Sequence, residues 1–113
     1  MACIFCGIIN GEVKADLLYE DDYVVGFRDI QPQSPSHTLV VPKKHVSDVL
    51  SLSDEAPLIS HHIFKAIRHI TDAENLSNNG FRVVTNKGDD GGQTVDHLHF
   101  HILGGRQLNW PPG

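Results

Sequence analysis

Hydrophobic and polar positions change period several times along the chain, and each change marks an element. Between Asp96 and Arg106, His97, His99 and His101 alternate with Leu98, Phe100 and Ile102. Period two predicts a half-buried β-strand with the apolar set in a core and the three histidines sharing the other face. Ile59, Ile63, Ala66, Ile67, Ile70 and Ala73 recur at spacings of three and four, which predicts a long amphipathic helix between Ser53 and Leu76. Ser51, Ser53 and Asp54 are its N-cap candidates, and Pro57 fits only a first turn. Ile4, Phe5, Ile8 and Ile9 predict a short helix ending near Asn10-Gly11. Leu17–Glu20 and Tyr23–Arg28 flank Asp21-Asp22, a hairpin with a two-residue turn. His37–Pro42 reads as a third strand, and Phe81–Asn86, after the Asn78-Asn79-Gly80 break, as a fourth. Helix and strand periods occur without regular βαβ alternation. The fold class expected is therefore α+β, an antiparallel sheet of about five strands with one long and one short helix.

With 113 residues there is room for one domain, taken as 1–113. At 40% hydrophobic and 20% charged the composition is that of a soluble globule. A net charge of −5 gives no electrostatic reason to bind duplex nucleic acid, so a phosphate ligand would need local compensation. Met1-Ala2-Cys3 opens the chain without a basic leader or a long apolar run, so neither secretion nor membrane insertion is expected and the location is read as cytoplasmic.

Two features change this picture. The first is Cys3-Ile4-Phe5-Cys6, a C-x-x-C that in a reducing compartment favours metal or redox use. A thioredoxin-like pair would follow a strand, for which no residues are available, so zinc is the better reading. Zinc takes four ligands, and His45 and His97 are the candidates for the other two. Two buried thiols without metal are the alternative. The second is the histidine row, whose outer members would lie about 13 Å apart along a strand, too far to share one ion. That leaves divided labour, in which a central histidine attacks or binds while its neighbours orient, protonate or ligate. His61, His62 and His69 lie off the apolar stripe of the long helix and are read as solvated. Asp29 opens a proline-punctuated loop, and the Gly91-Gly92 pair within residues 87–94 would let backbone N–H groups approach a ligand.

The alternation His97-x-His99-x-His101, followed by Leu103-Gly104-Gly105-Arg106 and the closing Trp110-Pro111-Pro112-Gly113, resembles the histidine-triad (HIT) family, and within it the branch of histidine-triad nucleotide-binding proteins. The similarity runs along nearly the whole chain. It implies a HIT-like fold with two protomers in a dimer, and a purine nucleotide such as AMP or a phosphoramidate as ligand. By similarity Asp29 accepts both ribose hydroxyls, and Phe27 and Ile30 wall the base along with Phe5 and Ile8. His37 matches the family's additional histidine, a partner of the triad. Asn86, Gly92 and Thr94 match positions that contact the phosphates or the leaving group, Thr94 standing where serine is more usual. In zinc-containing relatives the ligands look like Cys3, Cys6, His45 and His97. Asp96 departs from the branch, which often has an aromatic residue there.

A neutral imidazole nitrogen is a competent nucleophile toward phosphorus when its other nitrogen keeps a proton and a fixed partner. His99 is assigned that role, His101 donates to phosphate oxygens or the leaving group, and His97 orients the site. Magnesium is not required by such a scheme. The expected activity is hydrolysis of a P–N or P–O bond at the α-phosphate of a nucleoside phosphoramidate or acyl-adenylate, releasing AMP. The alternatives are dinucleoside polyphosphate hydrolysis and a non-catalytic nucleotide-binding module. A homodimer is expected because a small core leaves a face to cover, and because Trp110 sits on a terminal segment that cannot continue a strand. By similarity this tail reaches toward the partner's nucleotide site.

Overall fold

The structure, a computed structural model, describes residues 3–113. Met1 and Ala2, which enter the reading of the chain's start, lie outside them. The elements run α1 (Ile4–Ile9), β1 (Leu17–Glu20), β2 (Val24–Arg28), β3 (Ser36–Pro42), α2 (Pro57–Ala73), β4 (Phe81–Val84), α3 (Gly88–Gly91) and β5 (Phe100–Gly104). All five strands form one antiparallel sheet in the order β1-β2-β3-β5-β4, as the α+β expectation requires.

β3 sits at the centre and is buried along its whole length, because both faces of the sheet are covered. On one face α2 lays Ile59, Ile63, Ala66, Ile67 and Ile70 against Val24, Val40, Leu98, Phe100 and Ile102. Fully burying an isoleucine such as Ile63 or Ile70 is worth roughly 1.5–3 kcal/mol. Gly26 of β2 permits the close approach, since a Cβ there would lie 2.6 Å from Cδ1 of Ile70. On the opposite face α1 covers Val25, Phe27, Leu39 and Val41 with Phe5. Val24 and Val25 thus serve different cores, the two-sided pattern of a central strand.

Several boundaries differ from the sequence reading for identifiable reasons. α2 begins at Pro57 with Ala56 as an uncapped N-cap, and Ser51–Asp54 form a separate 3-10 turn. The proline at the first position fixes the start in place of the expected Ser or Asp cap. The β1–β2 turn takes three residues, because Asp21 Oδ1 accepts the amides of both Tyr23 and Val24 at 2.7 and 2.9 Å. His62 is not solvated: its Nδ1 lies 2.8 Å from Asp21 Oδ2 and its ring packs on Tyr23. β4 ends at Val84, two residues short of Asn86. Residues 88–91, read as loop, make one helical turn.

The main correction concerns the histidine strand. β5 begins only at Phe100, so His101 alone of the three lies in it. The register Val40↔Phe100 would set Pro42 opposite Leu98. Pro42 has no N–H to give, and its carbonyl is taken by Nε2 of His97 at 2.8 Å. The Leu98 amide turns instead to the carbonyl of Val46 at 2.6 Å. The alternation survives the loss of pairing, since Leu98, Phe100 and Ile102 all stay in the α2-side core. Among the described residues no helix is long and apolar enough to cross a membrane.

Candidate functional site

His97 and His99 are nearly fully buried, at 0% and 5% exposure, and His101 is half-buried. A strand face open to water would not do this; α1 lies over the row, with the Phe5 ring edge-on to both His97 and His99. Each imidazole is held by a different partner. Nε2 of His97 donates to Pro42, leaving Nδ1 bare. Nδ1 of His99 donates to the carbonyl of His97 at 2.7 Å, so in the neutral ring Nε2 carries the free lone pair. The His99 carbonyl in turn accepts the Thr85 hydroxyl at 2.9 Å, pinning the backbone.

His101 is held from β3. The amide of Gln33 donates to Nδ1 of His37 at 3.0 Å, which places the His37 proton on Nε2, 2.8 Å from Nδ1 of His101. Burial pushes His37 below the ordinary histidine range, against the pull of Asp29. Burial also pushes His101 down to about 4, with neighbouring His99 and His37 adding to the effect. Both are neutral near pH 7, so the tautomer rather than the charge defines the pair. Asp29 Oδ2 lies 3.4 Å from His37 Nε2 while its Oδ1 caps the Gln31 amide at 2.8 Å. Asp29, His37 and His101 are close enough to hold an ion together. The Gln33 amide opposes that, because a metal on Nε2 of His37 would force a proton onto the nitrogen that now accepts.

His99 and His101 open into a cleft of about 280 Å³. Phe5, Ile8, Phe27 and Leu39 give it an apolar end, while Asp29, Thr94 and the two histidines give it a polar one. Ile30 stands at its rim, 90% exposed. Lys14, Gln31 and Val95 also line it, and the sequence analysis assigns none of the three to the site, since their residue types carry no signature of a ligand. Asn86 and Gly92 are not among the lining residues. Trp110 is far from enclosed at 81% exposure, with the Arg82 guanidinium 6.0 Å from its ring centre.

On the far side of His97, Cys3, Cys6, His45 and His97 converge, their donor atoms all within 4.8 Å of one another. Nδ1 of His97 is 3.4 Å from Cys3 Sγ and 3.6 Å from Cys6 Sγ, and Nδ1 of His45 is 3.4 Å from Cys6 Sγ. Edges of a Cys2His2 tetrahedron with ordinary zinc bond lengths are roughly 3.3–3.8 Å, so the donor set fits a zinc ion. Burial and the adjoining Cys3 push the Cys6 thiol up when no cation is present.

Comparison with known proteins agrees with the resemblance seen in the motif. The family pattern described as HIT domain matches residues 10–108. An uncharacterized HIT-like protein of Synechococcus elongatus is 46% identical over 110 residues, 97% of this chain and 96% of that protein. The crystal structure of a HIT family hydrolase from Legionella pneumophila superposes with a TM-score of 0.94 at 43% identity, covering 99% of this chain and 100% of the other. A histidine triad nucleotide-binding protein from Candida albicans superposes with a TM-score of 0.84 at 31% identity, covering 97% and 83%.

Proposed function

The chain belongs to the HIT domain family, and on that premise we propose that it is a nucleotide-binding hydrolase of the phosphoramidase type. The substrate class is a purine nucleoside 5′-phosphoramidate or acyl-adenylate, and the product is AMP. The observation that carries this reading is the His97 carbonyl on Nδ1 of His99, which leaves Nε2 as a bare nucleophile at the polar end of an apolar-walled cleft.

The base lies among Phe5, Ile8, Phe27 and Ile30, and Asp29 accepts the ribose hydroxyls. His99 Nε2 attacks the α-phosphorus, forming a P–N bond to the ring as the bond to the leaving amine breaks. The phosphoramidate nitrogen, protonated from solvent, leaves as the neutral amine, and neutral His101, whose Nδ1 is engaged by His37, donates a hydrogen bond from Nε2–H to a nonbridging oxygen. Thr94 supplies a hydroxyl at the same end of the cleft, with Asn86 and Gly92 assigned to the phosphate side by similarity. Water then attacks the nucleotidyl-imidazole, a P–O bond forms, and His99 is regenerated. No step calls for magnesium.

Zinc is part of this reading as a structural ion on Cys3, Cys6, His45 and His97, where it would tie α1 to the loop after β3. So is a symmetric homodimer. β4 lies at the sheet edge with Phe81 and Val83 exposed at 41% and 40%, and Phe64 of α2 is exposed at 62%. An apolar edge of this kind is best covered by an identical partner.

The test is release of AMP from an adenosine phosphoramidate. The His99→Ala protein should bind the nucleotide yet lose turnover by roughly three orders of magnitude or more. Tight AMP binding without turnover by the unaltered protein would leave a binding module. Preferred cleavage of dinucleoside polyphosphates would move the substrate class.

A further inference from the structure

The roles proposed above leave Arg106, at the end of β5, without one. Its Nη2 donates to the carbonyl of Gln33 at 3.0 Å, and its Nη1 to the carbonyl of Gln107 at 3.1 Å. Gln33 is the residue whose amide donates to Nδ1 of His37, and His37 meets His101. One residue, Gln33, therefore separates Arg106 from the pair, its carbonyl turned to Arg106 and its amide to His37. The preceding Gly105, at a φ of +92°, lets this end of β5 press on the same loop, since a Cβ there would lie 2.9 Å from Cβ of Pro35. Gly105 and Arg106 thus grip the Gln31–Pro35 loop at two points.

We propose that Arg106 is a positioning residue that, by anchoring Gln33 through its carbonyl, keeps the Gln33 amide on His37 and so fixes the tautomer of the His37–His101 pair. The inference rests on the reading of His101 as a hydrogen-bond donor to the reacting phosphate. Both rings are buried and neutral, and Asp29 Oδ2, 3.4 Å from Nε2 of His37, favours a proton there without excluding the other tautomer. The Gln33 amide makes the selection: it can only donate, so Nδ1 of His37 must accept, Nε2 must donate to His101, and His101 keeps its proton on its free nitrogen. A guanidinium suits the anchor because its fork reaches two carbonyls at once, one on the loop and one on the tail. Burial of the histidines alone would hold their rings in place without choosing between tautomers.

Long-range ¹⁵N–¹H spectra of the imidazoles test this on the full chain. The unaltered protein should show one tautomer each for His37 and His101, protonated at Nε2. Arg106→Ala should mix the tautomers of both, lower kcat on adenosine phosphoramidate roughly ten- to a hundredfold, and leave KM within about twofold. Arg106→Lys, which keeps one donor, should restore the spectrum and most of kcat. Arg82→Ala, which removes a comparable tail contact to the Asn109 carbonyl, should leave both imidazoles unchanged. A folded Arg106→Ala protein with unaltered His37 and His101 signals would overturn the proposal. Altered signals with full kcat would uphold the positioning and instead remove His101 from the role of hydrogen-bond donor to the phosphate.

Discussion

The carbonyl oxygen of His97 accepts the Nδ1 proton of His99 at 2.7 Å, so the backbone of one motif histidine sets the tautomer of the next. The side chain of the same residue is turned the other way. Its Nε2 donates to Pro42 and its Nδ1 stands among the thiols of Cys3 and Cys6. His97 therefore links the cleft histidine His99 to the cluster of Cys3, Cys6 and His45, its carbonyl serving the one and its side chain the other.

The acceptor on His99 is a main-chain oxygen, so side-chain substitutions nearby leave it in place, and in the proposed reaction Nε2 is the atom that attacks. Alkaline quenching of a reaction in progress, followed by peptide mass spectrometry and NMR, should find the nucleotidyl group on Nε2 of His99. An adduct on Nδ1, or on His101, would refute the assignment.

Zinc in the Cys3, Cys6, His45, His97 cluster would anchor both ends of the first turn of α1, a helix of six residues without a side-chain cap. Protein purified without chelator should hold about one zinc per chain, and Cys6→Ser should lose most of it. Stripping the metal should lower Tm by several degrees, at roughly 4–8 °C per kcal/mol for a domain of this size. An unchanged Tm after complete removal would sink the structural role.

Much of the site was readable in the residues because its chemistry sits in side chains. The alternation from His97 to Ile102 does sort imidazoles from core, and Cys3, Cys6 and His45 do meet His97. What stayed hidden is carried by backbone. The Pro42 carbonyl that ends the ladder, the His97 carbonyl that sets His99 and the Gln33 amide that sets His37 have no signature in residue type. His62 was misjudged for a related reason: its distance from the apolar stripe of α2 is real, but its partner Asp21 is 41 residues away.

Asp21 joins the β1–β2 turn to α2. It accepts from the hydroxyl of Tyr19 at 2.7 Å, from the amides of Tyr23 and Val24, and from His62. These bonds outweigh the burial that opposes them and hold its carboxyl down at about 2, below the ordinary 3.8. A depressed carboxyl stabilises the fold above its unfolded value, and the gain fades as pH falls through the folded one. Stability should therefore decline between about pH 4 and pH 2 in part through Asp21, and Asp21→Ala should flatten that limb. The same substitution should cost about 1–3 kcal/mol at neutral pH by leaving donors unpaired. Urea titrations across the range measure both, and an unaltered acid limb would show that other carboxylates govern it.

Trp110 and the β4 edge are the apolar surfaces that a second copy of the chain would cover. Trp110 is 81% exposed, next to Asn109, whose carbonyl accepts a hydrogen bond from Arg82. Leaving so large an apolar ring in water is unfavourable, and tryptophan is enriched where proteins meet. Phe64, Ile67 and Phe81 line a further hollow between α2 and β4, beside the unpaired edge. If a second copy covers this face, Phe81→Asp should drive sedimentation from dimer to monomer at micromolar concentration, since burying a charge there is costly. Truncation after Arg106 should keep the dimer, the His37–His101 pair and the bare Nε2 of His99. It should still change the rate or the preference among phosphoramidates, because the lost residues would contact the partner's cleft. A truncated protein with an unaltered kcat/KM across a panel of leaving groups would show that the tail plays no part in catalysis. A fully active monomer of the unaltered chain would remove the dimer as well.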